Sequence, residues 1–157
     1  MNTFTVVHVA LSLVGIVSGL IVLVGLMRSD RMERWTALFL STTLLTSGTG
    51  FGFPYRGITP GVITGVLSLL ILTVAIIARY HFRLRGIWRS IYVIGAVVAL
   101  YFNCLVLVAQ LFLHIPPLHA VAPRGLEPPA VITQGILLVF FLVSGILALR
   151  RFHPAHA

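Results

Sequence analysis

Apolar residues fill five long stretches of this chain, and short polar segments separate them. The stretches cover residues 4–27, 35–53, 58–80, 88–114 and 130–149. Each approaches or exceeds the ~20 residues that a helix needs to cross a bilayer. Because a bilayer core offers no water to backbone polar groups, spanning segments of this kind are helical. The pattern therefore predicts an all-α transmembrane bundle of five spans that forms a single domain over residues 1–157.

The second stretch is the least apolar of the five. Its last part is rich in small and hydroxyl residues: Thr42, Thr43, Thr46, Ser47, Gly48, Thr49 and Gly50. If this stretch were re-entrant, only four helices would cross, and the two termini would lie on the same side. Membrane helices accept such residues, because small side chains allow close approach and hydroxyls form hydrogen bonds between helices. We therefore expect five spans, with four as the alternative.

Basic residues alternate between the gaps that separate the stretches. Nine of them lie in every second gap or at the end: Arg28, Arg31, Arg34, Arg79, Arg83, Arg85, Arg89, Arg150 and Arg151. Arg56 and Arg124 lie in the other gaps. Since the bias of basic residues across short loops sets orientation, this pattern predicts an external N-terminus and a cytoplasmic C-terminus. No basic residue precedes the first stretch, which favours a retained helix over a cleaved signal peptide.

The overall composition excludes an ordinary soluble domain. Hydrophobic residues make up 59% of the chain and charged residues 9%, whereas soluble domains have about 25% charged residues. The net charge of +8 lies on arginines that border apolar spans. The expected partners are therefore the bilayer and its anionic headgroups, and not nucleic acid. Cys104 is the single cysteine, so an internal disulfide is excluded.

One basic segment is rich in aromatic residues and lies between the third and fourth stretches. It contains Arg79, Arg83, Arg85, Trp88 and Arg89. Arginine and aromatic side chains of this kind anchor helices at the membrane interface. The same residues also suit anionic headgroups or a docking partner.

Polar residues lie on one face of the fourth stretch. Asn103, Gln110 and His114 are seven and eleven positions apart, which returns them to the same side of a helix. Amides at membrane depth need partners, so this face should point into the bundle. The first stretch carries His8 and a GxxxG pair, Gly15 and Gly19, which is typical of close helix packing.

The predicted topology brings several polar residues to the outer end of the bundle. The candidate ligand-binding residues are His8, Asn103, Gln110, His114, His119 and Gln134, with Asn103 the deepest and Tyr55, Arg56, Arg124 and Glu127 at the rim. Imidazoles at similar depth on different helices are the groups that bind a metal or a haem. The metal candidates are His8, His114 and His119.

Three functions follow from these features. The spans contain no deep carboxylate or arginine, and no catalytic motif is present, which favours a non-catalytic accessory, scaffold or ligand-binding subunit. Such a subunit would pack with itself or with a larger membrane complex. The first alternative is a redox protein that binds haem, metal or a quinone through His8 and His114. The second is a small oligomeric transporter or channel whose path is lined by Asn103 and the second stretch.

The last gap is long and contains five prolines, in IPPLHAVAPRGLEPP over residues 115–129. Proline does not continue a helix well, so we expect an extended outer loop, with Pro128 and Pro129 opening the fifth span. The stretch YFNCLVLVAQLFLHIPPLHA, the following EPP and the basic tail resemble small bacterial inner-membrane proteins. That resemblance implies a location in the cytoplasmic membrane, and it assigns no particular activity.

Overall fold

The computed structural model describes residues 3–53 and 60–154, and the predicted all-α class is confirmed. Helix accounts for 84% of the structure, and the described residues contain no strand. The helices are α1 (Thr3–Met27), α2 (Glu33–Gly50), α3 (Pro60–Ile76), α4 (Ile87–His114), α5 (Pro116–Val121) and α6 (Pro128–Arg151), with a π-helical segment (Ile77–His81) that continues α3.

Four helices are long and apolar enough to cross a membrane. They are Thr3–Met27, Gly61–His81, Ile87–His114 and Pro128–Arg151. They match the first, third, fourth and fifth predicted stretches. Among the described residues α2 is the long helix outside this group, because it begins with Glu33 and Arg34 and carries the hydroxyl residues noted above. The first two residues of the third predicted stretch, Ile58 and Thr59, lie outside the described residues.

Helix α4 is the centre of the bundle, since it packs against α1, α2, α3 and α6. The GxxxG pair of α1 lies where α2 and α4 approach it most closely. A Cβ atom at Gly19 would lie 2.5 Å from Leu100 of α4 and 2.8 Å from Phe39 of α2. A Cβ at Gly95 of α4 would lie 3.0 Å from Ala75 of α3. The close packing predicted for this pair is therefore confirmed: a larger residue at Gly19 would displace Leu100 or Phe39, and a Cβ at Gly15 would lie 3.2 Å from Oγ1 of Thr43.

Successive long helices run antiparallel, so the bundle has two distinct ends. Arg79 beyond α3 contacts Arg31 before α2, and His153 after α6 contacts Ser29 after α1. We call this the arginine-rich end, formed by residues 28–34, 77–89 and 149–153. At the other end, His8 of α1 meets Thr49 of α2. We call this the opposite end, formed by residues 3–8, 49–53 and 105–134.

The expectation that residues 115–129 run extended is wrong for their first part. Pro116–Val121 forms the short helix α5, with both prolines at its first positions. Proline is tolerated there, because the N–H that it lacks would have no partner within the helix. A small core of Phe112, Ala122 and Ala130 ties this segment to α4 and α6. The prediction that Pro128 and Pro129 open the last helix is confirmed.

Candidate functional site

His8 lies at the opposite end and contacts α2 and the residues that follow it. Its Nδ1 lies 2.9 Å from Oγ1 of Thr49, and its ring meets Phe53 edge-on with 5.0 Å between ring centroids. The side chain is half-buried. The imidazole thus already has a hydrogen-bond partner and an aromatic neighbour from its own chain.

The other predicted ligand residues of the opposite end make separate contacts. Nδ1 of His114 lies 3.1 Å from the backbone oxygen of Gln110, one turn earlier on α4, and both side chains are exposed. His119 is exposed on α5. Nε2 of Gln134 donates to the backbone oxygen of Leu105 at 3.0 Å. Each of these contacts is local or involves a backbone oxygen.

The histidines of this end do not form a metal cluster in the described part of the chain. Within residues 3–53 and 60–154, no group of three or more His, Cys, Asp or Glu side chains is placed to hold a metal ion. Among the predicted rim residues, Tyr55 and Arg56 lie outside the described residues. Among the described residues, His8 and His114 bond to groups other than a histidine, and no contact supports the predicted convergence of His8, His114 and His119.

The carboxylate of Glu127 organises the rim of the opposite end by accepting hydrogen bonds from backbone N–H groups. Its carboxylate accepts hydrogen bonds from the N–H groups of Arg124 at 3.2 Å and Leu126 at 3.1 Å. Desolvation acts to raise the pKa of this carboxyl, but hydrogen bonds from the backbone and the charge of Arg124 together outweigh it. The net effect lowers the pKa of Glu127 below its usual value. This carboxylate stabilises the turn that leads into α6.

Asn103 lies in the middle of the bundle and links α4 to α2. The buried amide donates from Nδ2 to Oγ1 of Thr43 at 3.2 Å. A Cβ at Gly15 of α1 would lie 3.5 Å from the same nitrogen, so three helices meet here. The predicted inward direction of this polar face is confirmed at Asn103. The side chain fills a packed interface between helices.

Helix α2 buries most of its hydroxyl side chains together with Phe39 and Leu40, and it exposes several other large apolar side chains. The buried residues are Thr36, Phe39, Leu40, Thr42, Thr43, Thr46 and Ser47. Leu45, by contrast, is 53% exposed, and Trp35, Leu38 and Leu44 are exposed as well. Several hydroxyls bond to the helix's own backbone, as Thr42 does to the oxygen of Leu38 at 2.7 Å, whereas the buried Oγ1 of Thr46 has no hydrogen-bond partner among the described residues.

Arg79, at the arginine-rich end, is the buried charged residue within residues 3–53 and 60–154. Its side chain is 2% exposed. Nη2 donates at 2.8 Å to both the backbone oxygen of Arg31 and Oε2 of Glu33, and the guanidinium lies 5.0 Å from the ring centroid of Tyr92. The sequence placed Arg79 among the interface anchors, whereas the structure places it inside, joining the start of α2 to α3 and α4.

The π-helical segment explains why periodicity did not reveal this position. A π turn widens the helix and shifts the direction of the side chains that follow, often at functional positions. Arg79 lies within that segment, Ile77–His81. The available signal was the scarcity of carboxylates, since the whole chain has three Asp and Glu residues. An arginine at the end of a span has few partners to choose from, and Glu33 is one of them.

The remaining predicted anchors divide into two groups. Arg89 turns toward α6, where Nη1 donates to the backbone oxygens of Leu149 and Phe152 and lies 3.1 Å from Nε2 of His153. Arg83, Arg85 and Trp88 line a shallow pocket together with His81 and Phe82, and its volume is about 380 Å³. The Phe82 and Trp88 rings stack there with centroids 3.8 Å apart.

The loop that forms this pocket has an unusual backbone. Arg83 and Leu84 have φ angles of 51° and 60°, and Gly86 has 53°. Left-handed conformations at non-glycine residues cost about 1–3 kcal/mol each and persist where the surroundings enforce them. Here the Leu84 side chain is 3% exposed, and its N–H donates to the oxygen of Ala78 at 3.1 Å. Burial of Leu84 therefore holds the loop in shape.

Two kinds of polar arrangement are thus present. In the bundle and at the opposite end, several polar side chains contact one another or the backbone, while the pocket at the arginine-rich end presents exposed cationic groups. A comparison of the chain with protein-family models, curated proteins and solved structures found no match.

Proposed function

We propose that this protein is a five-span integral membrane protein of the cytoplasmic membrane that acts as a non-catalytic accessory or scaffold subunit. The observation that carries the proposal is that interior polar groups form hydrogen bonds between segments of the chain. Asn103 bonds to Thr43, Gln134 to the backbone of Leu105, and Arg79 to Glu33. Each of these contacts joins two helices, or a helix and the start of another, which is a structural role.

The exposure pattern of α2 supports five spans over four. A helix in contact with lipid needs apolar side chains outward and satisfied polar groups inward. Thr43 is fully buried while Leu45 is 53% exposed. Hydroxyls that bond to the backbone of their own helix carry no unmet hydrogen-bond demand into an apolar medium. The low hydropathy of α2 therefore reflects its inward face, and its outward face suits lipid.

The position of the arginines supports the proposed orientation. All nine arginines of the alternate gaps belong to the arginine-rich end. Positively charged loops remain on the cytoplasmic side, so this end faces the cytoplasm and the opposite end faces outward. With five spans, the N-terminus is external and the C-terminus cytoplasmic.

The outer face of α6 supports a scaffold role. This helix is largely exposed along one side, including Ile132, Ile136 and Val139. Gly135 lies on the same side, and a Cβ there would meet no atom within 4 Å. A small residue on an open apolar face allows another helix to approach closely. We therefore propose that α6 contacts a second copy or a larger membrane complex.

Single-cysteine labelling tests the topology, because the chain has one native cysteine to remove. In a Cys104→Ala background, we would place cysteines at Asp30, Gly50, Gly125 and His153. A membrane-impermeant maleimide should label Gly50→Cys and Gly125→Cys in intact cells, and the other two after permeabilisation. Labelling of Gly50→Cys on the same side as Asp30→Cys would mean that α2 is re-entrant and would overturn five spans.

Cross-linking in native membranes tests the association through α6. In the same background, Gly135→Cys should give a cross-linked species of defined mass, either a dimer or a complex with one partner. The matched control is Ile63→Cys, on an exposed face of α3. Equal cross-linking at both positions, or none at either, would reject an interface on α6.

An absorption spectrum and elemental analysis of the purified protein test the redox alternative. We expect a colourless, metal-free protein. A Soret band or stoichiometric metal that is lost in His8→Ala or His114→Ala would favour redox function instead. Vesicle flux that Asn103→Leu abolishes would favour transport.

A further inference from the structure

We propose that the pocket formed by His81, Phe82, Arg83, Arg85 and Trp88 binds the phosphate of an anionic phospholipid headgroup. The pocket lies where the third predicted span ends and the fourth begins. Its volume of about 380 Å³ falls within the range of small-ligand sites, roughly 300–1,000 Å³. Lipid binding here is separate from the accessory role and does not depend on it.

The arginine-rich end carries an excess of positive charge, which favours binding of an anion from outside the chain. Nine arginines lie at this end with two carboxylates, Asp30 and Glu33, which leaves a net side-chain charge of +7. Glu33 already pairs with Arg31 and Arg79. Asp30 accepts a hydrogen bond from the backbone of Met32. The described contacts therefore provide no carboxylate for Arg83 or Arg85, and an anionic membrane surface attracts such groups.

The backbone holds the two arginines in position before any ligand arrives. The buried Leu84 pins the loop, and its neighbours Arg83 and Arg85 are both exposed. The N–H of Arg85 donates to Phe82, and that of Trp88 donates to Arg85, both at 3.1 Å. Strained backbone conformations concentrate at binding sites, where preorganisation lowers the entropic cost of binding. Arginine is suited to phosphate because its fork donates two parallel hydrogen bonds.

The surroundings of the pocket favour a lipid over a soluble phosphate. Ile87 beside it is 72% exposed, and Ile77 and Tyr80 are about half exposed. The stacked Phe82 and Trp88 rings provide a wall of the kind that lies at headgroup depth. A phospholipid would place its phosphate on Arg83 and Arg85 and its acyl chains along the apolar neighbours. A free phosphate would contact Arg83 and Arg85 and would leave the apolar neighbours unused.

Native mass spectrometry of the detergent-purified protein tests this proposal. Phosphatidylglycerol and phosphatidylcholine would be titrated separately, and the bound lipid counted. The variant is Arg83→Gln with Arg85→Gln. The matched control is Arg150→Gln with Arg151→Gln, which removes the same charge at the same end from outside the pocket. We expect one phosphatidylglycerol to bind in preference to phosphatidylcholine, with affinity roughly thirtyfold weaker in the pocket variant, about fivefold for each arginine.

The result that would overturn the proposal is an equal loss in both double variants, because that would assign lipid binding to diffuse charge. Inorganic phosphate and glycerol phosphate form the soluble arm of the experiment. Displacement of phosphatidylglycerol by either at millimolar concentration would assign the pocket to a soluble ligand and reject the lipid.

A second readout keeps the test decisive if the pocket variant does not fold. In Trp35→Phe, Trp88 is the single tryptophan and reports on its stack with Phe82. Its fluorescence should shift with phosphatidylglycerol and not with phosphatidylcholine. An identical response to both lipids would contradict the proposal.

Discussion

The two ends of the bundle use similar polar residues in different ways. At the arginine-rich end, contacts join distant parts of the chain, such as Arg79 with Glu33, Arg89 with Phe152, and His153 with Ser29. At the opposite end, His114 bonds to its own helix and Glu127 to its own loop. The His8–Thr49 contact is the long-range side-chain pair described there.

The difference teaches that density of histidines is a weaker guide to a site than unmet charge. The opposite end holds five of the six residues predicted to bind a ligand, yet their described contacts are made singly. The arginine-rich end combines a buried ion pair, a strained loop and a pocket with exposed cations. Unpaired charge and enforced backbone strain are the two features that indicate a binding site for a ligand or partner.

Loss of the buried ion pair should have the largest effect. Glu33→Gln leaves the Arg79 charge, 2% exposed, without its carboxylate. A buried charge without a partner costs about 3–5 kcal/mol, and exposure of the Glu33 side chain, 58%, reduces this to about 2 kcal/mol. Unfolding in mixed detergent micelles would measure it. Glu127→Gln at the opposite end is the control and should change stability far less.

The double variant Glu33→Gln with Arg79→Met sharpens this test. It removes the buried charge together with its partner, so most of the lost stability should return. A double variant less stable than Glu33→Gln alone would show that Arg79 acts through packing and its contact with Tyr92, and not through the ion pair.

The tie between α4 and the end of α6 should have the next largest effect. Arg89→Gln removes a charged donor from the backbone oxygens of Leu149 and Phe152, which should cost about 1–2 kcal/mol. Faster amide hydrogen exchange in residues 150–153 would locate the loss. The control is Arg150→Gln, which replaces an exposed arginine at the end of α6. Equal rates of amide hydrogen exchange in the two variants would show that the Arg89 contacts do not stabilise the end of α6, and would contradict the contrast drawn between the two ends of the bundle.

At the opposite end, His8 should matter modestly and His114 hardly at all. His8→Ala loses the bond to Thr49 and the contact with Phe53, about 1 kcal/mol. His114→Ala should remain within about 0.5 kcal/mol of the parent, as surface changes do. Large and non-additive losses in these variants would mean that the two histidines share a ligand after all.

Protonation of Glu127 should have the smallest effect, confined to its loop. Its folded pKa lies below the usual value, so the hydrogen bonds from Arg124 and Leu126 are present above that usual value. They are lost as pH falls through the folded pKa. Carboxyl carbon NMR of labelled Glu127 should show a lower midpoint than a peptide of residues 122–129. Matching midpoints would show that the loop does not hold this carboxylate.

Much of the fold could be predicted from the sequence, and the site less so. The helices of the first, fourth and fifth stretches, the inward direction of Asn103 and the packing of Gly15 and Gly19 follow from hydropathy and periodicity. The helix at Pro116 did not follow, because the same prolines suit a loop or a first helical turn. Arg79 was placed among the interface anchors because its segment is rich in arginine and aromatic residues, and that composition does not reveal which of its side chains is buried.

The sequence by itself determined that this chain is helical, apolar and asymmetrically charged, because length, hydropathy and the spacing of arginines are properties of local segments. The tertiary structure alone decided which polar groups meet. Whether Glu33 reaches Arg79, or His8 reaches Thr49, depends on helix neighbours and rotation across more than forty residues. The pocket likewise exists because Leu84 is buried against other helices, and that contact is not encoded in the spacing of Arg83 and Arg85.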